Sequence, residues 1–225
     1  MPKASLSNLL GRLTAGRFSA PSPRNPTPAF YAALKRRDQL STRDVRAIAV
    51  HEAGHALLYA ALRPLPDYVT VNLYDRPGRD DVLGEVTRII YPHQLEDLTF
   101  LRWQMLMLLA GQAAEQALLR EETVGPGQDL AQWSELAQDY LMLCRGEVFF
   151  AKPANEYQAM LNQRLLTRAL TLQRLQVRAF LSINRSVLDD LANEIELHKR
   201  LSARELQSHF AGVQIPAGFP TPALA

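Results

Sequence analysis

In Ile48-Ala49-Val50-His51-Glu52-Ala53-Gly54-His55-Ala56-Leu57-Leu58, two histidines stand four residues apart with a glutamate beside the first. On a helix, positions four apart lie on one face, about one turn along the axis. Two imidazoles at that spacing can grip one metal ion. Glu52 points to the neighbouring sector, where it can hold a water rather than the metal. Zinc suits two neutral histidines, a third protein ligand and one open position for water. The ion lowers the pKa of that water, and Glu52 is placed to take its proton as attack begins. This is the pattern of a zinc hydrolase, most often a peptidase.

The flanks decide what kind of helix carries it. Ile48, Ala49, Val50, Ala53, Ala56, Leu57, Leu58, Ala60, Ala61 and Leu62 are apolar nearly all round, as in a buried core helix. Two histidines and a glutamate inside such a helix need partners, and a metal supplies them. Gly54 costs a helix about 1 kcal/mol against alanine, so its use is close approach of another backbone or of substrate.

The 225 residues are 47% hydrophobic, enough for one sizeable core with a helical extension. A net charge of +2 is not that of a polyanion binder. Cys144 is the one cysteine, so no intramolecular disulfide forms, and its apolar neighbours Leu141 to Leu143 read as core. No apolar run reaches the roughly 18 residues of a membrane span. A cytoplasmic location follows as the expectation.

Residues 1–26 read as a basic tail without an acid. Two readings stand: a disordered arm, or an organelle transit peptide, which would move the location to an organelle. Residues 28–39 suggest a short helix with Phe30, Tyr31 and Leu34 on one side and Lys35, Arg36 and Arg37 on the other. Seven basic residues in the first 37 would hold to any anionic surface, which is no specific sign of nucleic-acid binding. Ser41 or Thr42 then caps the metal helix, with Asp44 in its first turn, and Pro64 and Pro66 stop it near Leu62. Tyr68–Tyr74 and Gly84–Tyr91 read as two strands of a small sheet, with Asp75–Asp81 as the loop between them. Its edge near the metal helix serves either as a packing hairpin or as a place where an extended peptide adds a strand.

Leu95–Arg120 is a long helix, and Glu115 is the one charge inside its apolar run from Trp103 to Leu119. Glu115 is either an exposed helix charge or the partner of a metal-bound histidine. Gly125-Pro126-Gly127-Gln128-Asp129-Leu130 turns into a helix from Asp129 to Leu143. Asp129 either caps that helix or supplies the third metal ligand that two histidines require. His93, His198 and His209 lie in polar or amphipathic surroundings and read as surface or packing residues. A helix over 155–183, a break near Asn184, a further helix, and Ser202-Ala-Arg-Glu205 as a capping box complete the chain.

The succession His51-Glu-Ala-Gly-His55, Leu83-Gly-Glu-Val-Thr87, Ala110-Gly-Gln-Ala-Ala-Glu115 and Gly125-Pro-Gly-Gln-Asp-Leu130 resembles the peptidase domain of the FtsH-type AAA+ zinc proteases, peptidase family M41. The resemblance covers roughly residues 40–210. It implies a mainly α domain with a small β-sheet (α+β), Zn²⁺ held by His51, His55 and Asp129, Glu52 as catalytic base, and a polypeptide substrate along a sheet edge. It also implies a homo-oligomer, hexameric by analogy. The expected organisation is a tail at 1–26, a zinc peptidase domain at 27–212 with its metal core at about 40–150 and a helical part at about 153–210, and a C-terminal tail at 213–225. These residues contain no phosphate-binding loop for an ATPase.

The leading expectation is therefore an ATP-independent zinc endopeptidase acting on peptides or unfolded chains. The alternative is a non-catalytic zinc-binding module that associates with a separate AAA+ ATPase or protease. Glu52 argues for the enzyme, because a structural site needs no base and closes its fourth position with a protein ligand.

Overall fold

The computed structural model describes residues 40–74, 83–91, 97–120, 127–144, 146 and 148–224. The tail at 1–26, the helix expected over 28–39, the loop at 75–81 and His93 lie outside the described residues.

Helix α1, Thr42–Leu57, starts on a reciprocal cap: the Asp44 N–H donates to the Ser41 hydroxyl, and the Ser41 N–H donates to the Asp44 carboxylate. From Ala49 to Leu57 every residue except His51 is buried. The helix does not run on to Leu62. It tightens into a 3₁₀ turn at Leu58–Ala61, and Leu62 is extended. Pro64 is the reason, since its ring disfavours a helical Arg63. The Trp103 indole donates to the Leu58 carbonyl at 2.9 Å, which satisfies one of the freed groups.

Three short strands follow this helix, not two. Strand β1 is Thr70–Leu73, β2 is Gly84–Val86 and β3 is Arg200–Ser202, all antiparallel in the order β2-β1-β3. Val71 and Leu73 face the core. The expected strands over 68–74 and 84–91 shrink at their ends. Beyond Val86 the Thr87 N–H still bonds the Thr70 carbonyl, but the Tyr59 hydroxyl takes the Thr87 carbonyl and the Thr87 hydroxyl accepts the Thr70 N–H, so side chains replace the return bond of the ladder there. At three residues, β3 is too short for its alternation to register in sequence.

Helix α2, Leu98–Leu118, is capped by Asp97 and packs along α1. Phe100 and Trp103 stack beneath Tyr59 to form the aromatic part of the core. Helix α3 is Gly127–Leu143, and Cys144 just beyond it is half-buried rather than part of the core. Helix α4, Glu156–Ile183, meets α5, Arg185–His198, at the buried Asn184, whose amide bonds the Phe180 and Gln214 carbonyls. Helix α6, Ala203–Phe210, opens with the Ser202–Glu205 capping box. The architecture is mainly helical with a small antiparallel sheet. The C-terminal residues are packed against it: Phe219 stacks on Phe180, and the Leu224 N–H donates to the Arg63 carbonyl. None of the described helices is long and apolar enough to cross a membrane.

Candidate metal centre

His51 and His55 project from one face of α1, and Asp129 reaches them from the first turn of α3. His51 Nε2 lies 2.9 Å from His55 Nε2 and 3.2 Å from Asp129 Oδ2, and the His55 Nε2–Asp129 Oδ2 distance is 3.3 Å. The other nitrogen of each ring is taken. His55 Nδ1 is 2.7 Å from the Met107 carbonyl oxygen, and His51 Nδ1 is 2.6 Å from Glu115 Oε1. A carbonyl oxygen and a carboxylate accept, which places a hydrogen on Nδ1 of both rings and leaves both Nε2 atoms facing Asp129, where either a proton or a metal ion can be held. Two imidazole nitrogens and one carboxylate oxygen thus converge on one point, an arrangement that a cation relieves. Ligands at zinc distances of about 2.0–2.1 Å in a tetrahedron lie about 3.3 Å apart. The three atoms fit that spacing, and the donor set of two histidines and a carboxylate suits zinc.

The surroundings tune these groups. Burial opposes charge on His51, but hydrogen bonds to the Asp129 and Glu115 carboxylates outweigh it, and among protein groups alone its pKa is pushed up to about 10. Burial acts on Asp129 in the raising direction, and the two histidines reverse it, so its carboxyl sits well below the usual range. Glu52 is the contrast. It is buried, burial raises its pKa, and the nearby histidines offset this only in part. It accepts no hydrogen bond among the described residues. Its carboxylate is therefore close to the three converging atoms without being tied to any of them.

Three glycines make the space. A Cβ on Gly54 would meet the Ala110 carbonyl oxygen at 2.5 Å, so the close approach expected there is that of the α2 backbone. A Cβ on Gly111 would stand 2.4 Å from His51 Nε2, and one on Gly84 would stand 2.7 Å from Glu52 Cγ. Gly111 keeps room for the His51 ring and Gly84 for the glutamate. Neither role was legible in the sequence, where a helical glycine signals only lost propensity. Glu115 is 1% exposed and belongs to this centre, not to the surface. His198 pairs with Glu194 on the exposed side of α5, and neither it nor His209 joins the group among the described residues.

No protein-family model matches the chain. It is 24% identical over 199 residues to the ATP-dependent zinc metalloprotease FtsH 4 of Sorangium cellulosum, covering 79% of this chain and 30% of that protein. It is 27% identical over 199 residues to the ATP-dependent zinc metalloprotease FtsH of Thermus thermophilus, covering 79% of this chain and 31% of that one. Over 108 residues, 46% of the chain, identity to FtsH 3 of Sphaerobacter thermophilus is 38%, on 21% of that protein. The chain thus spans under a third of the length of the curated relatives it matches, and over that part it is similar to FtsH zinc metalloproteases.

Proposed function

We propose that this chain carries a zinc-dependent endopeptidase site of the M41 type, with His51, His55 and Asp129 as ligands and Glu52 as general base. The observation that carries the reading is the pairing of three converging nitrogen and oxygen atoms with a buried, untied carboxylate next to them. When bound, zinc supplies a Lewis acid and lowers the pKa of a water in the site. Glu52 takes the proton of the attacking water and passes it to the leaving amine. Glu115 holds the His51 ring in its plane and fixes its tautomer, as the Met107 carbonyl does for His55. Hydrolysis of a peptide bond at such a site draws nothing from ATP.

The sheet supplies a place for the polypeptide. The Tyr74 N–H bonds the Leu83 carbonyl, and the Thr87 N–H bonds the Thr70 carbonyl, so residues 83, 85 and 87 turn their backbone groups toward β1. Alternation turns those of Gly84 and Val86 outward, on the side of β2 that pairs with no other strand among the described residues. An extended peptide added there passes beside Glu52, which Gly84 touches. The relatives' names include ATP dependence; a homo-oligomer and a separate AAA+ ATPase that delivers unfolded chains are the partners this reading carries over.

The test is cleavage of casein or a quenched peptide by the zinc-loaded protein. Turnover is expected to vanish with chelator, return with zinc, and vanish in Glu52→Gln while zinc stays bound. Turnover that survives in Glu52→Gln would contradict the assigned base.

A further inference from the structure

Arg88 is an exposed cation beside the candidate metal centre, and the hydrolytic reaction proposed above does not use it. Its guanidinium donates to the Gln132 side-chain carbonyl at 3.0 Å, and no carboxylate among the described residues pairs with it. Gln132 lies on α3 three residues after Asp129. The Arg88–Gln132 bond therefore spans from the β2 edge of the sheet to the helix that carries the candidate third ligand.

The position along the edge can be read from α1. Gly84 touches Ile48 and Glu52, and the Thr87 carbonyl accepts from Tyr59. The helix rises roughly 10 Å from residue 52 to 59, and the strand rises roughly 10 Å from residue 84 to 87. The two therefore run side by side in the same direction. His55 falls abreast of residues 85 and 86, which puts Arg88 about two to three residues beyond the metal ligands. Val86 is the last residue of β2, and the chain continues through Thr87 to Arg88, which is exposed while Ile89 beside it is buried.

We infer that Arg88 is a specificity residue that selects an acidic side chain, Asp or Glu, two to three residues from the bond placed over the metal centre. The inference deepens the peptidase reading and rests on it. A peptide on the edge of β2 offers a carboxylate to a guanidinium whose present partner is a neutral amide. Exchange of that amide for a carboxylate gains a charge-assisted bond. Lysine at the same place meets like charge.

The test uses the zinc-loaded full chain and dye-labelled peptides of one sequence, with Glu or Lys scanned through every position. Binding is read by anisotropy in the Glu52→Gln protein, and cleavage in wild type. At one position, Glu is expected to bind about fivefold tighter than Lys, the scale of a well-formed exposed ion pair. The preference should disappear when Arg88→Gln is added, invert with Arg88→Glu, and shrink in high salt. Equal binding of the two peptides at every position, or a preference that persists in Arg88→Gln, would overturn the inference. Cleavage without charge preference overturns this inference and leaves the peptidase reading standing, whereas charge-selective binding without wild-type cleavage overturns the peptidase reading and with it the role of Arg88 in choosing the cleaved bond.

Discussion

Where α1 crosses α2, Gly54 lets the Ala110 carbonyl oxygen and the Ala114 methyl come into direct contact, and Gly111 lets the His51 ring lie on the α2 backbone. In α4, by contrast, only Asn162, Val177, Phe180 and Leu181 of 28 residues are buried. Leu172 and Leu175 there are each 57% exposed. Both regions are rich in apolar residues at helical spacing. The difference lies in the small residues. The α1–α2 seam has given up side chains so that two backbones and an imidazole share one volume, while the outer half of α4 carries large side chains that meet solvent. Close packing has no slack for an added methyl, so the seam should be intolerant and α4 permissive.

The sharpest way to break that contrast is Gly111→Ala. The new methyl falls on the ring of a candidate ligand, and zinc affinity should fall by about 100-fold or more, the upper end of what loss of a ligand's supporting partner costs, as read by competition with a chromophoric chelator. Glu115→Gln keeps the shape of the seam but weakens the hold on His51 Nδ1. It should lower zinc affinity by about 10- to 100-fold with little change in the far-UV spectrum. Gly54→Ala adds a methyl against backbone, away from the ligand atoms. It should cost about 1–3 kcal/mol of stability, measured by urea unfolding, with metal stoichiometry preserved. Leu172→Gln on α4 should change stability by no more than about 0.5 kcal/mol. A large loss there would show that this face is covered in the folded protein and that the contrast is misdrawn.

What the sequence disclosed follows the same division. Around His51, Glu52 and His55 the run from Ala49 to Leu57 is apolar, so burial of α1 was legible before its neighbours were known. The caps Ser41–Asp44 and Ser202–Glu205 are local, made by residues three apart, and local chemistry is what a sequence displays. Glu115 stayed undecided because α2 is apolar on most of its surface, so no polar face marks which side meets solvent. Asp129 kept two roles because an acid in a helix's first turn serves the dipole as well as it serves an ion. β3 escaped because three residues carry no period, and its pairing with β1 spans most of the chain. Gly84 and Gly111 escaped because what a glycine makes room for is a property of its neighbours in space.

Zinc titration of the wild-type protein beside Asp129→Ala asks whether His51, His55 and Asp129 form one metal site. The expected result is about one zinc per chain, bound tightly by wild type and much more weakly by the variant, with both proteins folded. Equal tight binding by both would place the third ligand elsewhere, and failure of either to bind supplied zinc would contradict the site itself.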